Sequence, residues 1–187
     1  MHFMELLLAI LALITVLLTT AFLLAFFYNG IRYVPFVPTK EKVIKQAIES
    51  LKLKEDMVIY DLGCGDGRFL TEAVRKARVK AVGVEISRAI LLLARLRAWL
   101  YGVEVQFLRQ NFFSVDLKDA DIVFCYLFPK VMERLKDKFS KELKPGAIVV
   151  SYSFPMKDWK PVRIEQTIPS KPKNFLLYFY QIGISDL

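Results

Sequence analysis

Residues 58–69 read VIYDLGCGDGRF, an apolar run that stops at an acid and turns through three glycines before basic and aromatic residues begin. Three consecutive apolar or aromatic side chains, Val58, Ile59 and Tyr60, followed past Asp61 by Leu62, point to a strand buried on both faces, the kind found in parallel sheets. Asp61 then falls at the strand end. Gly63, Gly65 and Gly67 make a bend in which backbone amides approach a ligand at the carboxyl edge of the sheet, where open α/β folds bind small molecules. The spacing excludes two common loops. A dinucleotide fingerprint needs a glycine or alanine at the sixth position from Gly63, where this chain has Arg68, and a phosphate-binding G-x-x-x-x-G-K sequence is absent.

Alternation continues on either side of this stretch. Apolar positions Val43, Ile44, Ala47, Ile48 and Leu51 share one helical face, with Thr39 expected as the N-cap. Helical spacing resumes at Phe69, Leu70, Ala73, Val74 and Ala77. KAVGVE at 80–85 reads as a second strand, and Ser87 opens a helix to about Tyr101. Further strands are expected in 103–110, 121–128, 146–154, 161–168 and 175–182, with a helix over about 130–142. The reading is an α/β, Rossmann-like, seven-stranded and mostly parallel sheet, closed by an antiparallel C-terminal hairpin around PSKPKN.

Glu85 ends the second strand 24 residues after Asp61, placed to accept hydrogen bonds from two ribose hydroxyls. The one histidine, His2, lies on the far side of the N-terminal apolar run, so the folded part has no histidine for a hydrolytic triad, a zinc site or a general base. Two cysteines, Cys64 and Cys125, lack C-x-x-C spacing and read as buried thiols.

Residues 6–28 pass about 23 positions without a charge, enough for a helix rising roughly 1.5 Å per residue to cross a hydrocarbon core. No Lys or Arg precedes the run and no small-residue cleavage pattern follows it, as a signal peptide would require. A single-pass anchor is expected, with Arg32, Lys40, Lys42 and Lys45 placing the folded part on the cytoplasmic or equivalent side, and Phe26, Phe27, Tyr28 and Tyr33 at headgroup depth. The chain of 187 residues carries a net charge of +8. Residues 1–28 hold one Glu and no Lys or Arg, so the remaining 27 basic and 18 acidic side chains leave +9 on the rest. Such a surplus favours anionic lipid or an acidic protein face, and the tether disfavours nucleic acid as partner.

The D-x-G-x-G-x-G bend with Glu85 at this distance resembles the class I S-adenosylmethionine-dependent methyltransferases over about residues 40–184. That resemblance implies cofactor contacts from Asp61, Gly63, Cys64, Gly65 and Glu85, with Asn111 and Phe112 near the adenine. A narrower resemblance is carried in order by PFVPT (35–39), DLGCGDGR (61–68), RLRAWLYGV (95–103), FPK (128–130), ELKPGA (142–147) and FPMKDW (154–159). These blocks look like the single-pass lysine methyltransferases that modify adenine nucleotide translocase and ATP synthase subunit c. Cys64 stands where those relatives more often have Ser, and the block at Trp159 is spaced differently.

The resemblance implies a membrane-anchored protein-lysine N-methyltransferase that uses S-adenosylmethionine, leaves S-adenosylhomocysteine and needs no metal. Its expected parts are an anchor over 1–30, a stiff flap over 31–39 and a catalytic domain over 40–187. In YVPFVPT (33–39) two prolines restrict the backbone. Phe36, Pro38 and Thr39 are expected to cover the methionine end of the cofactor, although a plain spacer fits the same residues. Tyr126, Phe128 and Pro129 are expected at the acceptor channel, core packing being the alternative for the two aromatics, and Trp159 suits either the rim or the core. Only about four residues separate Tyr28 from Tyr33, roughly 14 Å when extended, which favours a lysine of a membrane-proximal protein as substrate. A membrane-dissolved small molecule as acceptor, a non-catalytic cofactor-binding adaptor and, less well, RNA remain as other readings.

Overall fold

A computed structural model describes residues 2–32, 37–168, 170 and 174–186, with side chains of the first helix described over 4–21. Phe36, Tyr33 and the side chains of Phe26, Phe27 and Tyr28 therefore lie outside the described residues. The chain divides into two compact units, Met1–Phe36 and Val37–Leu187. The first is one helix, α1 (His2–Arg32). Its Met4–Ala21 stretch has a mean hydropathy of 2.3 and none of it is buried. Thr15 and Thr19 return their hydroxyls to carbonyls one turn back, at Leu11 and Thr15, so neither leaves a donor unsatisfied on an apolar surface.

The second unit runs α2 (Glu41–Leu51), β1 (Val58–Leu62), α3 (Arg68–Ala77), β2 (Lys80–Val84), α4 (Arg88–Leu100), β3 (Gln106–Leu108), a 3-10 turn (Phe112–Ser114), β4 (Ile122–Cys125), α5 (Pro129–Glu142), β5 (Ile148–Tyr152), β6 (Arg163–Gln166) and β7 (Leu176–Gln181). All seven strands form one sheet in the order β3-β2-β1-β4-β5-β7-β6. Neighbours from β3 to β5 are parallel, and β7 enters antiparallel between β5 and β6. The switch of direction in strand order lies between β1 and β4, which puts the binding crevice beyond the carboxyl ends of the parallel strands.

One face of the sheet is covered by α2, α3 and α4 and the other by α5 with the stretch following β3. Phe69 of α3 stacks on Phe124 of β4 with centroids 4.1 Å apart, and both rings are buried. Burying a side chain of this size stabilises by about 1.5–3 kcal/mol. On the far face Met132, Leu135 and Phe139, spaced three and four apart along α5, are fully buried. Cys64 and Cys125 are both free and lie in the cores of opposite faces.

Three local expectations need correction. Thr39 is not the cap of α2; Lys40 holds that position without a side-chain cap bond, because Thr39 is buried and its carbonyl takes a hydrogen bond from Arg68 instead. The third strand is only Gln106–Leu108, since it is an edge strand paired along β2 alone. The fifth ends at Tyr152, where Ser153 adopts a φ of 70°.

Candidate active site

Five parallel strands deliver their ends to one edge, and the expected residues arrive there in strand order. Asp61 occupies the fourth position of β1, Glu85 follows β2, Asn111 follows β3 and Tyr126 follows β4. After β1 the chain turns through Gly63, Gly65 and Gly67 at φ values of 79°, 55° and 72°. The bend is pinned to the neighbouring strand, with the Gly63 and Cys64 amides donating to the Val84 carbonyl at 2.8 and 3.0 Å. At Gly67 a Cβ would lie 3.0 Å from the Phe107 ring and 3.2 Å from Ala94, so glycine lets α4 close against the bend.

Gly83, inside β2, is equally constrained and was not singled out from the sequence. A Cβ there would stand 2.8 Å from Phe107, 2.9 Å from the Cys64 sulfur and 3.0 Å from Leu70. Gly83→Ala is therefore expected to cost about 1–3 kcal/mol by overpacking and to push the glycine bend outward. A melting temperature lowered together with cofactor affinity would bear this out; wild-type values for both would refute it.

Asp61 is buried, and no described residue donates a hydrogen bond to its carboxylate. Burial, then the negative charges of Glu85 and Asp66, push its carboxyl well above the usual range. A buried acid held among other acids, with no cation of its own, suits a ligand that brings positive charge. Glu85 is half-buried and accepts the Ser87 amide through Oε1 at 2.8 Å, which orients the carboxylate over the start of α4. Asn111 caps the 3-10 turn, its Oδ1 accepting from the Phe113 amide at 3.1 Å. Phe112 is half-buried and its ring lies 4.9 Å from that of Phe113. Cys64 is buried, and burial with the nearby Asp61 and Glu85 pushes its thiol pKa far up, so it is a packing group and not a nucleophile.

The loop also carries a clamp that sequence reasoning missed. Both Asp66 oxygens accept from Arg68, Oδ1 from Nε at 2.8 Å and Oδ2 from a terminal nitrogen at 2.7 Å, while Arg97 of α4 reaches Oδ2 at 2.9 Å. Arg68 also donates to the Thr39 carbonyl at 2.9 Å. One carboxylate thus joins the glycine bend, α4 and the segment ahead of α2. Pro38, beside Thr39, is exposed. The available signal was charge order, D-x-R at 66–68 with an arginine on the next helix, but nothing local reveals that 68 and 97 converge.

Burial opposes ionisation of Asp66, but the Arg68 hydrogen bond and the two guanidinium charges outweigh it and hold the carboxyl below its usual value. A depressed folded pKa gives stability that is present above the unfolded carboxylate range and is lost as pH falls through the folded value. Asp66→Asn is expected to cost roughly 1–3 kcal/mol at neutral pH, between an exposed and a fully buried pair. The deficit should close in acid; melting curves that stay equally displaced at low pH would count against the clamp.

Just beyond β4, Tyr126 lies 4.7 Å from the Tyr152 ring and 6.3 Å, nearly parallel, from Phe154. Phe128, 45% exposed, sits 6.1 Å from Phe154, and Tyr152 continues the group to Phe175 at 6.4 Å. Burial raises the Tyr152 hydroxyl pKa, against a hydrogen bond to Thr167 that lowers it. Pro129 takes the first turn of α5, where a missing amide proton costs nothing. Tyr152 and Phe154 were absent from the expected site because 146–154 reads as one strand, which stops two residues before Phe154, and Phe175 because 175–182 reads as another, which begins only at Leu176. Trp159 does not line this rim. It packs edge-on to Tyr180, 5.9 Å away, in the core of the opposite face.

The sheet order, the glycine bend after β1 and the acid after β2 define a class I S-adenosylmethionine-dependent methyltransferase. The chain belongs to the family described as the ANTKMT methyltransferase domain, whose pattern covers residues 61–163. It is 40% identical over 159 residues to a protein-lysine N-methyltransferase of Saccharolobus islandicus (strain REY15A), covering 81% of this chain and 95% of that one. It is 35% identical over 133 residues to the adenine nucleotide translocase lysine N-methyltransferase of Mus musculus, covering 70% of this chain and 58% of the mouse protein. Among solved structures, an RNA methyltransferase from Salinibacter ruber in complex with S-adenosyl-L-homocysteine superposes with a TM-score of 0.73 at 34% identity, covering 78% of this chain and 94% of that one.

Proposed function

We propose that this chain is a membrane-anchored protein-lysine N-methyltransferase acting on a protein held at the membrane surface. The observation that carries the reading is the aromatic group Tyr126, Phe128, Tyr152 and Phe154 beside the cofactor edge. Relatives named for lysine methylation support the acceptor class, and the apolar Met4–Ala21 helix supports the anchor. Residues 1–30 form the anchor and 31–39 the flap; the domain over 40–187 sits on the basic, cytoplasmic or equivalent side.

S-adenosylmethionine, when bound, supplies a methyl group already activated on a sulfonium. The residues present fit it: the Asp61 carboxyl lacks a cationic partner, Glu85 has free acceptor capacity, and the two side chains of the bend are engaged elsewhere, Cys64 packed against Gly83 and Asp66 held by Arg68 and Arg97. Asp61, Gly63, Cys64 and Gly65 would face the amino-acid end, Glu85 the ribose, and Asn111 with Phe112 the adenine. Thr39 and Pro38, and Phe36 beyond the described residues, would cover the amino-acid end.

The acceptor amine must lose a proton before it can attack. From a reference pKa of about 10.4 this costs roughly 4.6 kcal/mol at pH 7, and a dry apolar slot supplies part of it by disfavouring the ammonium. Tyr126 would hold the amine by its hydroxyl and ring face, while Phe128 and Pro129 shape the entry and exclude water. Aromatic faces also retain partly methylated ammonium groups for further rounds.

Incubating membranes with the chain and a methyl-labelled cofactor tests the reading, with label expected on lysine in the protein fraction. The Salinibacter ruber structure favours RNA as a second acceptor. Label confined to RNA would replace the lysine reading with that one, and label confined to the lipid extract would indicate a small-molecule acceptor.

A further inference from the structure

Helix α4 is oriented against the usual rule for a surface helix. Its buried positions are Leu91, Ala94 and Ala98, two of them small, whereas its large apolar side chains point outward. Trp99 is 75% exposed, Leu92 66%, Leu100 65%, Leu93 52% and Leu96 48%. At 100° per residue these five fall within about 120° of one another, with Arg88 and Arg95 on one flank of the same face. Neither arginine engages a carboxylate among the described residues. Monomeric proteins seldom expose so continuous an apolar strip, and when they do it marks a binding surface.

We propose that the outward face of α4 rests in the headgroup region of an anionic bilayer, with Trp99 and the leucines entering the acyl boundary and Arg88 and Arg95 meeting lipid phosphates. A helix with a tryptophan and leucines on one face and arginines at its flank has the composition of an interfacial helix. Charge complementarity points the same way: the chain carries +8, and polybasic surfaces next to a membrane are drawn to its anionic leaflet. Arg109 adds a third cation, its Nε donating to the Ile86 carbonyl at the start of the helix. The proposal rests on the membrane reading above and adds what that reading lacks, a second contact besides α1. Because α4 begins three residues after Glu85, this contact would put the cofactor edge beside the headgroups, where a lysine flanking a membrane span lies.

The chain contains two tryptophans, Trp99 and Trp159, and α1 contains none, which makes fluorescence a direct probe. Full-length Trp159→Phe protein is incorporated into vesicles of phosphatidylcholine with phosphatidylglycerol, with and without bromine-labelled acyl chains. Flotation of protein with vesicles reads the anchor, and quenching of Trp99 by the brominated lipid reads the face. Expected are flotation, a blue-shifted Trp99 emission and loss of most of its intensity to bromine. Leu92→Glu with Leu96→Glu should abolish the quenching and leave flotation intact. Flotation with an unquenched Trp99 would overturn the proposal and leave the anchor standing, and failure to float would remove both. A blue shift that grows with protein concentration without bromine quenching would assign the face to a second copy of the chain and equally overturn the proposal.

Discussion

Glu85→Ala is expected to weaken S-adenosylmethionine binding roughly 30- to 150-fold by calorimetry. The carboxylate spends one lone pair on the Ser87 amide, and that bond fixes its direction. On the proposed assignment the remaining acceptor sites take the ribose hydroxyls, and each hydrogen bond to a charged acceptor is worth about 1.5–3 kcal/mol. Losing the ribose contacts, partly replaced by water in this half-buried position, leaves a net loss of about 2–3 kcal/mol. Glu85→Gln keeps the Ser87 bond and an acceptor oxygen but loses the charge, so it should fall between wild type and alanine. An alanine variant binding within about threefold of wild type would disprove the assignment, since the strand end would then be solvated surface and nothing more.

Asp61 gives the same site an opposite signature. Its folded pKa is raised, so below the unfolded carboxylate range the side chain is neutral and costs little. As pH rises through the folded value, stability is lost because the charge must be held without a partner. Asp61→Asn should therefore raise the melting temperature of the cofactor-free protein at neutral pH while lowering cofactor affinity at least tenfold, or about 1.4 kcal/mol. In the wild type, a bound cation would favour the ionised form, so binding releases a proton and affinity climbs with pH up to the cofactor-free pKa. Calorimetry in buffers of different ionisation enthalpy measures that proton directly; no release, with an Asn variant that is less stable, would mean Asp61 is an ordinary structural acid.

How far these groups are legible from sequence depends on how local their causes are. The strand ending at Asp61 and the glycine bend are written in contiguous residues, because periodicity and positive φ are properties of a few neighbours. Glu85 follows for the same reason, one α/β unit on. The Asp66 clamp is different: its second arginine is 31 residues away, and only the packing of α4 on the bend brings the two together. Gly83 looks like any residue of an apolar strand until Phe107 and Cys64 are placed above it. The aromatic slot was half legible. Tyr126 and Phe128 follow a recognisable strand, but Tyr152 and Phe154 depend on where β5 stops, which a left-handed Ser153 decides and β propensity does not.

Tyr126→Phe is expected to lower kcat about 10²- to 10³-fold with cofactor affinity unchanged, and Tyr126→Ala to lower it further with a raised KM for the protein substrate. The first change removes one hydroxyl and leaves the ring 4.7 Å from Tyr152 and nearly parallel to Phe154, so the slot keeps its shape. On the proposed role, what it loses is a polar contact that would fix the amine lone pair in line with the methyl group, and removing one such contact typically costs 10²–10³ in rate. The second change opens the slot to water, which restores the ammonium and forfeits the apolar contribution to its deprotonation. With a lysine acceptor the wild-type rate at saturating cofactor should rise about tenfold per pH unit below the acceptor's effective pKa, then level off. Tyr126→Ala should move that plateau to higher pH, because the re-solvated amine regains its ordinary basicity. Tyr126→Phe should leave the plateau where it was and lower only its height. Equal plateau positions in all three proteins would mean that the aromatic group is core packing, and the acceptor would have to enter elsewhere along the sheet edge.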